Sequence, residues 1–284
     1  MTGTAINNTL VYQYTLNNQY PPPMLEYDPE RWVAYLMSAL FPLLAARVVM
    51  AGREMQAPWL CVAVVAPVLL FIALILRGAM GRTDSDAFRM YETQTVLHLC
   101  AGVVSVGMLL VFAAKWIEKI RKSVVARFLT HAAAGYTVAA TVCVCVGVPL
   151  SFDMREEQRI CGYRLVSAAL VVSLGMVLLG GTLAAYHTDR RSASNVAIVA
   201  VPAVLLACWM SFALARTSLP MHNAANASDA LFYCLSVLPA AGVLGVWAAM
   251  AEEALSEGCA CQCQASCARC AFEGRLQQAM GQYA

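Results

Sequence analysis

The 284-residue chain is 60% hydrophobic and 13% charged, whereas soluble proteins average about 25% charged residues, so one water-soluble core could not hide its apolar surface. Its net charge of +2 is small and all three lysines fall in one loop, which leaves nucleic-acid binding without an electrostatic footing. These figures predict an all-α, polytopic integral membrane protein.

Residues 1–31 form a polar tail rich in Asn, Thr and Tyr, stiffened by Pro21, Pro22 and Pro23. The tail lacks the apolar run and small-residue site of a cleaved signal peptide, so the first span must do the targeting. A bundle of seven transmembrane helices is predicted over 32–251. The first span covers Trp32 to Met50 and carries Pro42 and Arg47, and the second covers Pro58 to Leu76 and stops at Arg77. The third, Thr93 to Ala114, is 22 residues without a formal charge, followed by Lys115, Lys119, Arg121, Lys122 and Arg127. At about 1.5 Å per residue such a run crosses one hydrocarbon core, and the basic block at its end marks the cytoplasmic side. The remaining spans are Phe128 to Leu150, Leu165 to Tyr186, Val196 to Ala215 and Ala230 to Ala251, with a charged loop from Asp153 to Arg159 before the fifth. The cysteine-rich tail 252–284 completes the chain.

An odd number of spans puts the ends on opposite sides. With the lysine-bearing loop inside, the cytoplasmic side holds 11 of the basic residues and the other side 8. The amino terminus is then non-cytoplasmic and the carboxyl terminus cytoplasmic, in the plasma membrane or an endomembrane. The two glycosylation sequons, at Asn7 and Asn226, both fall on the non-cytoplasmic side.

Small residues at every fourth place predict helix contacts. Gly135, Ala139, Cys143 and Gly147 form such a row on the fourth span, and Ala241, Gly245 and Ala249 form one on the seventh. No Asp or Glu occupies the middle third of any span, which argues against an ion-coupled pump. The seventh span has no lysine for a retinal Schiff base.

Of the four histidines, His98 lies in the outer part of the third span, His222 in the last outer loop, and His131 and His187 at cytoplasmic helix ends. That distribution does not build a three-His zinc site, so no metal, cofactor or enzymatic activity is expected. His98 reads either as a hydrogen-bonded packing residue or as a substrate contact. Arg77, Arg164 and Arg216 stand at outer helix ends, as snorkelling anchors or as partners for lipid phosphates, Asp229 or the loop acids. Cys259, Cys261, Cys263, Cys267 and Cys270 crowd the tail near the membrane. On a reducing side they read as S-acylation sites, as a zinc set built on Cys263, Cys267 and Cys270, or as residues without a specific role.

Two stretches carry a family resemblance. Tyr27-Asp28-Pro29 with Phe41, and Asp229-Ala230-Leu231-Phe232-Tyr233 leading to Leu238-Pro239, resemble the first and last helices of the fungal lipid-translocating exporter family, whose members are linked to resistance against toxic lipophilic compounds. Tyr91 to Gln94 is a weaker echo of the same family. The layout covers residues 27 to 251, although the specific motifs cover about a tenth of that. Asp229 stands where the family has Glu, Ser236 where it has a second acid, and only Arg216 survives of its arginine-rich stretch. A second fungal seven-span family, of unknown function, shares the Leu-Pro of the last helix. The resemblance implies a protein that moves or senses phospholipids or sphingoid-base-like amphiphiles, with Arg216 and Asp229 near the head group beside Phe232, Tyr233 and His98.

Membrane lipids are thus the expected partners, with an amphiphilic small molecule and self-association as further candidates. No ATP-binding Gly-x4-Gly-Lys motif is present. The competing class is a receptor-like or scaffold protein. The third span ends Ala113-Ala114-Lys115-Trp116 rather than in Asp-Arg-Tyr, and Pro239 is not part of an Asn-Pro-x-x-Tyr motif.

Overall fold

The computed structural model describes residues 31–54, 60–79, 87–120, 124–153, 155–186, 193–218 and 229–249, and every regular element among them is helical. We label the helices α1 (Arg31–Glu54), α2 (Leu60–Ala63 and Val65–Ala79), α3 (Ala87–Ile120), α4 (Val124–Ser151), α5 (Glu156–Tyr186) and α6 (Ala193–Ser218). The last helix, α7, opens with Asp229–Phe232, widens into a π-helical segment at Tyr233–Val237 and continues over 238–249.

Six of these helices are long and apolar enough to cross a membrane. The exception is α2. Its unbroken part, Val65–Ala79, has 15 residues, about 22 Å of helix against a hydrocarbon core of about 30 Å. The proline ring of Pro67 clashes with the carbonyl four places earlier, that of Ala63, and the helix breaks at the intervening Val64. Val68 N–H still donates to Val64 O at 3.2 Å, so the two pieces stay in line of sequence. The expected second span is therefore an interrupted helix, and it runs on to Ala79.

The charged segment before the expected fifth span is also helical from Glu156. Glu156 and Glu157 occupy the first turn of α5, where negative charge meets the positive end of the helix dipole. Asp153 Oδ1 accepts the Arg155 backbone N–H at 2.8 Å just ahead of it. Helix-terminal electrostatics thus turns an expected loop, Cys161 included, into nine extra residues of helix.

The uncharged third stretch is the axis of the bundle. Its membrane-length window is 78% buried, against 28–56% for the other five, because α2, α4, α5 and α6 all pack on it.

Close packing follows small residues, though not in the expected rows. A Cβ placed on Gly162 would meet the Ser151 backbone nitrogen and lie 2.6 Å from Gly147 O, so α4 and α5 touch backbone to backbone. Of the expected α4 row, only Gly147 makes that contact. Gly135 has no atom within 4 Å of its Cβ position, and Ala139 is exposed, because the buried stripe of α4 runs through Ala126, Leu129, Ala133, Tyr136, Ala140 and Val144. On α7 Gly245 likewise meets nothing, Ala249 is exposed, and Gly242 packs on Leu205 instead. Inside the bundle, Tyr136 O–H donates to Ser173 Oγ at 2.6 Å, since the serine proton is committed to Ala169 O at 2.7 Å.

Candidate functional site

The ends of five helices meet on the side of the bundle opposite the lysine-bearing connector. There the first turns of α3, the last turns of α4 and α6, and the first turns of α5 and α7 enclose a cavity of about 100 Å³. That is several times the 10–15 Å³ that the centre of one water needs, so the space admits a small polar group. Val148, Phe152, Val166, Phe212 and Phe232 give it apolar walls, and no Asp or Glu among the described residues lines it.

Its polar side comes from α3. In a helix, residues four apart share a face, and Gln94 and His98 sit one above the other on the cavity side. Both are buried, at 3% and 5% exposure. Trp209 of α6 donates its indole N–H to His98 Nε2 at 3.1 Å, and Ser236 Oγ of α7 lies 2.6 Å from the same nitrogen. An indole N–H can only donate, so Nε2 must carry a lone pair. His98 is then the neutral tautomer with its proton on Nδ1, and Ser236 O–H is a donor to Nε2. The consequence is a buried Nδ1–H with no hydrogen-bond partner among the described residues, and Gln94 Oε1 is in the same condition. Both atoms have almost no accessible surface, so they lie behind the cavity lining, and each such orphan costs about 1–3 kcal/mol.

Cations surround the Phe232 ring. The Arg77 guanidinium carbon lies 4.1 Å from its centroid and that of Arg216 lies 5.5 Å away, with Arg216 also 5.9 Å from Phe212. His98 stacks at a tilt against the same ring at 5.1 Å and against Trp209 at 5.2 Å. Arg77 is 2% exposed and rests on Phe232, with Tyr233 at 5.9 Å, so it does not snorkel to an interface. Arg216 is half-buried, lines the cavity and has no carboxylate partner among the described residues. Arg164 is exposed, as an interfacial anchor would be.

The structure therefore brings together His98, Arg216 and Phe232. Tyr233 is buried behind Phe232, edge-on at 5.4 Å, and is not part of the lining. Asp229 opens α7, and its side chain lies outside what the structure describes. Asn7, Asn226 and the tail cysteines Cys259, Cys261, Cys263, Cys267 and Cys270 lie outside the described residues. His131 is exposed on α4. Among the described residues no three His, Cys, Asp or Glu side chains are grouped to hold a metal.

Sequence reasoning named Gln94 only as the end of the weak Tyr91 to Gln94 echo and passed over Trp209 and Tyr163. For Gln94 a further signal existed: Gln94 and His98 are polar residues four apart, and so on one helix face. Trp209 gave none, because an aromatic residue in an apolar span reads as packing, and Tyr163 fell in the expected loop before the fifth span. Comparison of the chain with protein-family models, with curated proteins and with solved structures finds no match.

Proposed function

We propose that this protein crosses the bilayer seven times, with its lysine-bearing connector in the cytosol, and handles lipid-like amphiphiles by taking their polar head groups into the five-helix cavity. The observation that carries the reading is the pairing of an apolar wall with a polar edge formed by Gln94, His98 and Arg216. Moving a polar head group into hydrocarbon without hydrogen bonds costs several kcal/mol. A cavity that replaces the lost hydration lowers that barrier. Its volume suits a head group and not an acyl chain, so the chain of the amphiphile stays among the apolar helix faces or in lipid.

The seventh crossing in this reading is α2. Leu60–Ala63 and Val65–Ala79 together make about 20 residues, roughly 30 Å, which matches the hydrocarbon core. The resemblance of Asp229-Ala230-Leu231-Phe232-Tyr233 to lipid-translocating exporters supports the same reading, since Phe232 is the ring on which both arginines rest.

The test is movement of fluorescently labelled amphiphiles between leaflets of vesicles that hold the purified protein. Accelerated movement in wild type, reduced in His98→Phe and Arg216→Gln at equal incorporation, is the expected result. Movement no faster than in protein-free vesicles rejects the transporting role, and binding without movement favours a sensing role.

A further inference from the structure

We infer that the cavity is selective for an oxyanionic head group, a phosphate monoester or a carboxylate, and rejects the cationic amine of a sphingoid base. The inference rests on the amphiphile reading above and adds the sign of the charge. Three features of the lining carry it.

The first is the tautomer of His98. Trp209 N–H and Ser236 O–H occupy the Nε2 lone pair, and the ring proton is on Nδ1, so His98 offers an incoming group no acceptor. An ammonium group, which has three N–H donors and no lone pair, finds no partner on it.

The second is Arg216. Its guanidinium lines the same cavity, and no carboxylate among the described residues neutralises it. Planar donor pairs of arginine match the two oxygens of a carboxylate or phosphate. The aromatic rings of Phe212 and Phe232 hold the cation in place without cancelling its charge.

The third is what the lining lacks. With no Asp or Glu among its described residues, an amine entering the cavity would find a fixed positive charge and no negative one. Gln94 is compatible with either sign, since its amide can turn an oxygen or an NH₂ to the ligand. It accepts the proton of a monoprotonated phosphate or donates to a carboxylate.

The experiment uses the full chain in a neutral maltoside detergent and three amphiphiles with the same twelve-carbon chain: dodecyl phosphate, dodecanoate and dodecylamine. Ligand that binds only the native state raises the thermal midpoint by an amount that grows with the logarithm of its concentration relative to Kd. Dodecyl phosphate or dodecanoate should raise the midpoint, dodecylamine should not, and Arg216→Gln should weaken the apparent affinity for the oxyanion at least ten-fold. The stronger of the two oxyanions identifies the head group. Should Arg216→Gln not fold, Arg216→Met, which keeps an apolar stem on the aromatic rings and removes the charge, replaces it with the same expectation. Stabilisation by dodecylamine equal to or greater than that by the oxyanions overturns the charge assignment and leaves the amphiphile reading standing. An oxyanion effect that is undiminished in both variants overturns this site as its origin. If none of the three shifts the midpoint, the amphiphile reading falls together with this inference.

Discussion

Replacing Gly162 by alanine tests whether the α4–α5 contact sets the width of the cavity. The added methyl group would stand 2.6 Å from Gly147 O and closer still to the Ser151 backbone nitrogen, where ordinary contact begins at 3.4 Å. The obstructing atoms are main chain, so no rotamer change relieves them, and the helices must separate by about 0.8 Å or more. Overpacking of this kind costs about 1–3 kcal/mol. Ser151, Phe152, Tyr163 and Val166, which flank the contact, line the cavity, so the displacement also moves one of its walls. Thermal unfolding in neutral detergent should show a lowered midpoint, and titration with dodecyl phosphate a weakened affinity. Gly175→Ala is the control on the same helix. Nothing lies within 4 Å of its added methyl group, and exchange of a helical glycine for alanine is favourable by about 0.5–1 kcal/mol. Equal midpoints and equal affinities for the two variants would show that the backbone contact does not exist in the membrane protein, and with it would go the five-helix cavity.

Ser236→Ala removes one of the two donors to His98 Nε2 and should lower stability by about 1 kcal/mol, while His98→Ala strands both donors and opens a void, at about 2–4 kcal/mol; denaturant midpoints in detergent measure both, and a smaller loss for His98→Ala would contradict the network. Phe232→Leu keeps an apolar wall but loses the face on which Arg77 and Arg216 rest, so it should destabilise by about 1–2 kcal/mol and be partly rescued by Phe232→Trp. Tags on the two termini should report opposite compartments, with Asn7 glycosylated and the Lys115–Lys122 connector protected from external protease; the same compartment for both tags rejects an odd number of crossings.

The helical class was legible because it derives from a single quantity, the apolar character of each stretch. The central place of α3 was not: α4 and α6 carry equally long uncharged runs and are only 33% and 50% buried, since lipid satisfies an apolar face as well as a helix does. Helix ends were less legible. Glu156 and Glu157 look like loop residues to hydropathy, yet they extend α5 because the helix dipole rewards negative charge in the first turn. The small-residue rows misled for a geometric reason: spacing specifies a face and does not say which neighbour that face meets, so Gly135 turns outward while Gly147 meets Gly162. In the site, His98, Arg216 and Phe232 could be singled out from composition and motif, since each is chemically unusual for its position. Arg77 was read as an interfacial anchor or as a partner for lipid phosphates and nearby acids, and only packing shows a guanidinium laid on a phenyl ring. The tautomer of His98 depends on Trp209, 111 residues away, and no local pattern encodes such a pairing.

Pro239 connects the last helix to the site. Proline has no N–H, so the carbonyl four places earlier, that of Leu235, loses its usual donor, and the ring would crowd it in a regular α-helix. The chain answers with a wider turn just upstream: Tyr233–Val237 is π-helical, and Leu238 N–H reaches back five residues to Tyr233 O. Such a turn accommodates one more residue per loop and rotates the amino-terminal part of the helix relative to the carboxyl-terminal part. Both residues that α7 contributes to the cavity, Phe232 and Ser236, lie at or before that turn, while Val243, Leu244 and Trp247 anchor the carboxyl-terminal part in the core. Pro239→Ala should therefore let the segment return to α-helical register, regain a backbone hydrogen bond and turn Ser236 away from His98. The expected signature is a thermal midpoint that holds or rises while affinity for dodecyl phosphate falls, the opposite pairing from Gly162→Ala, where both fall. A variant with unchanged affinity would mean that packing of Phe232 between the arginines, and not the proline, fixes the turn.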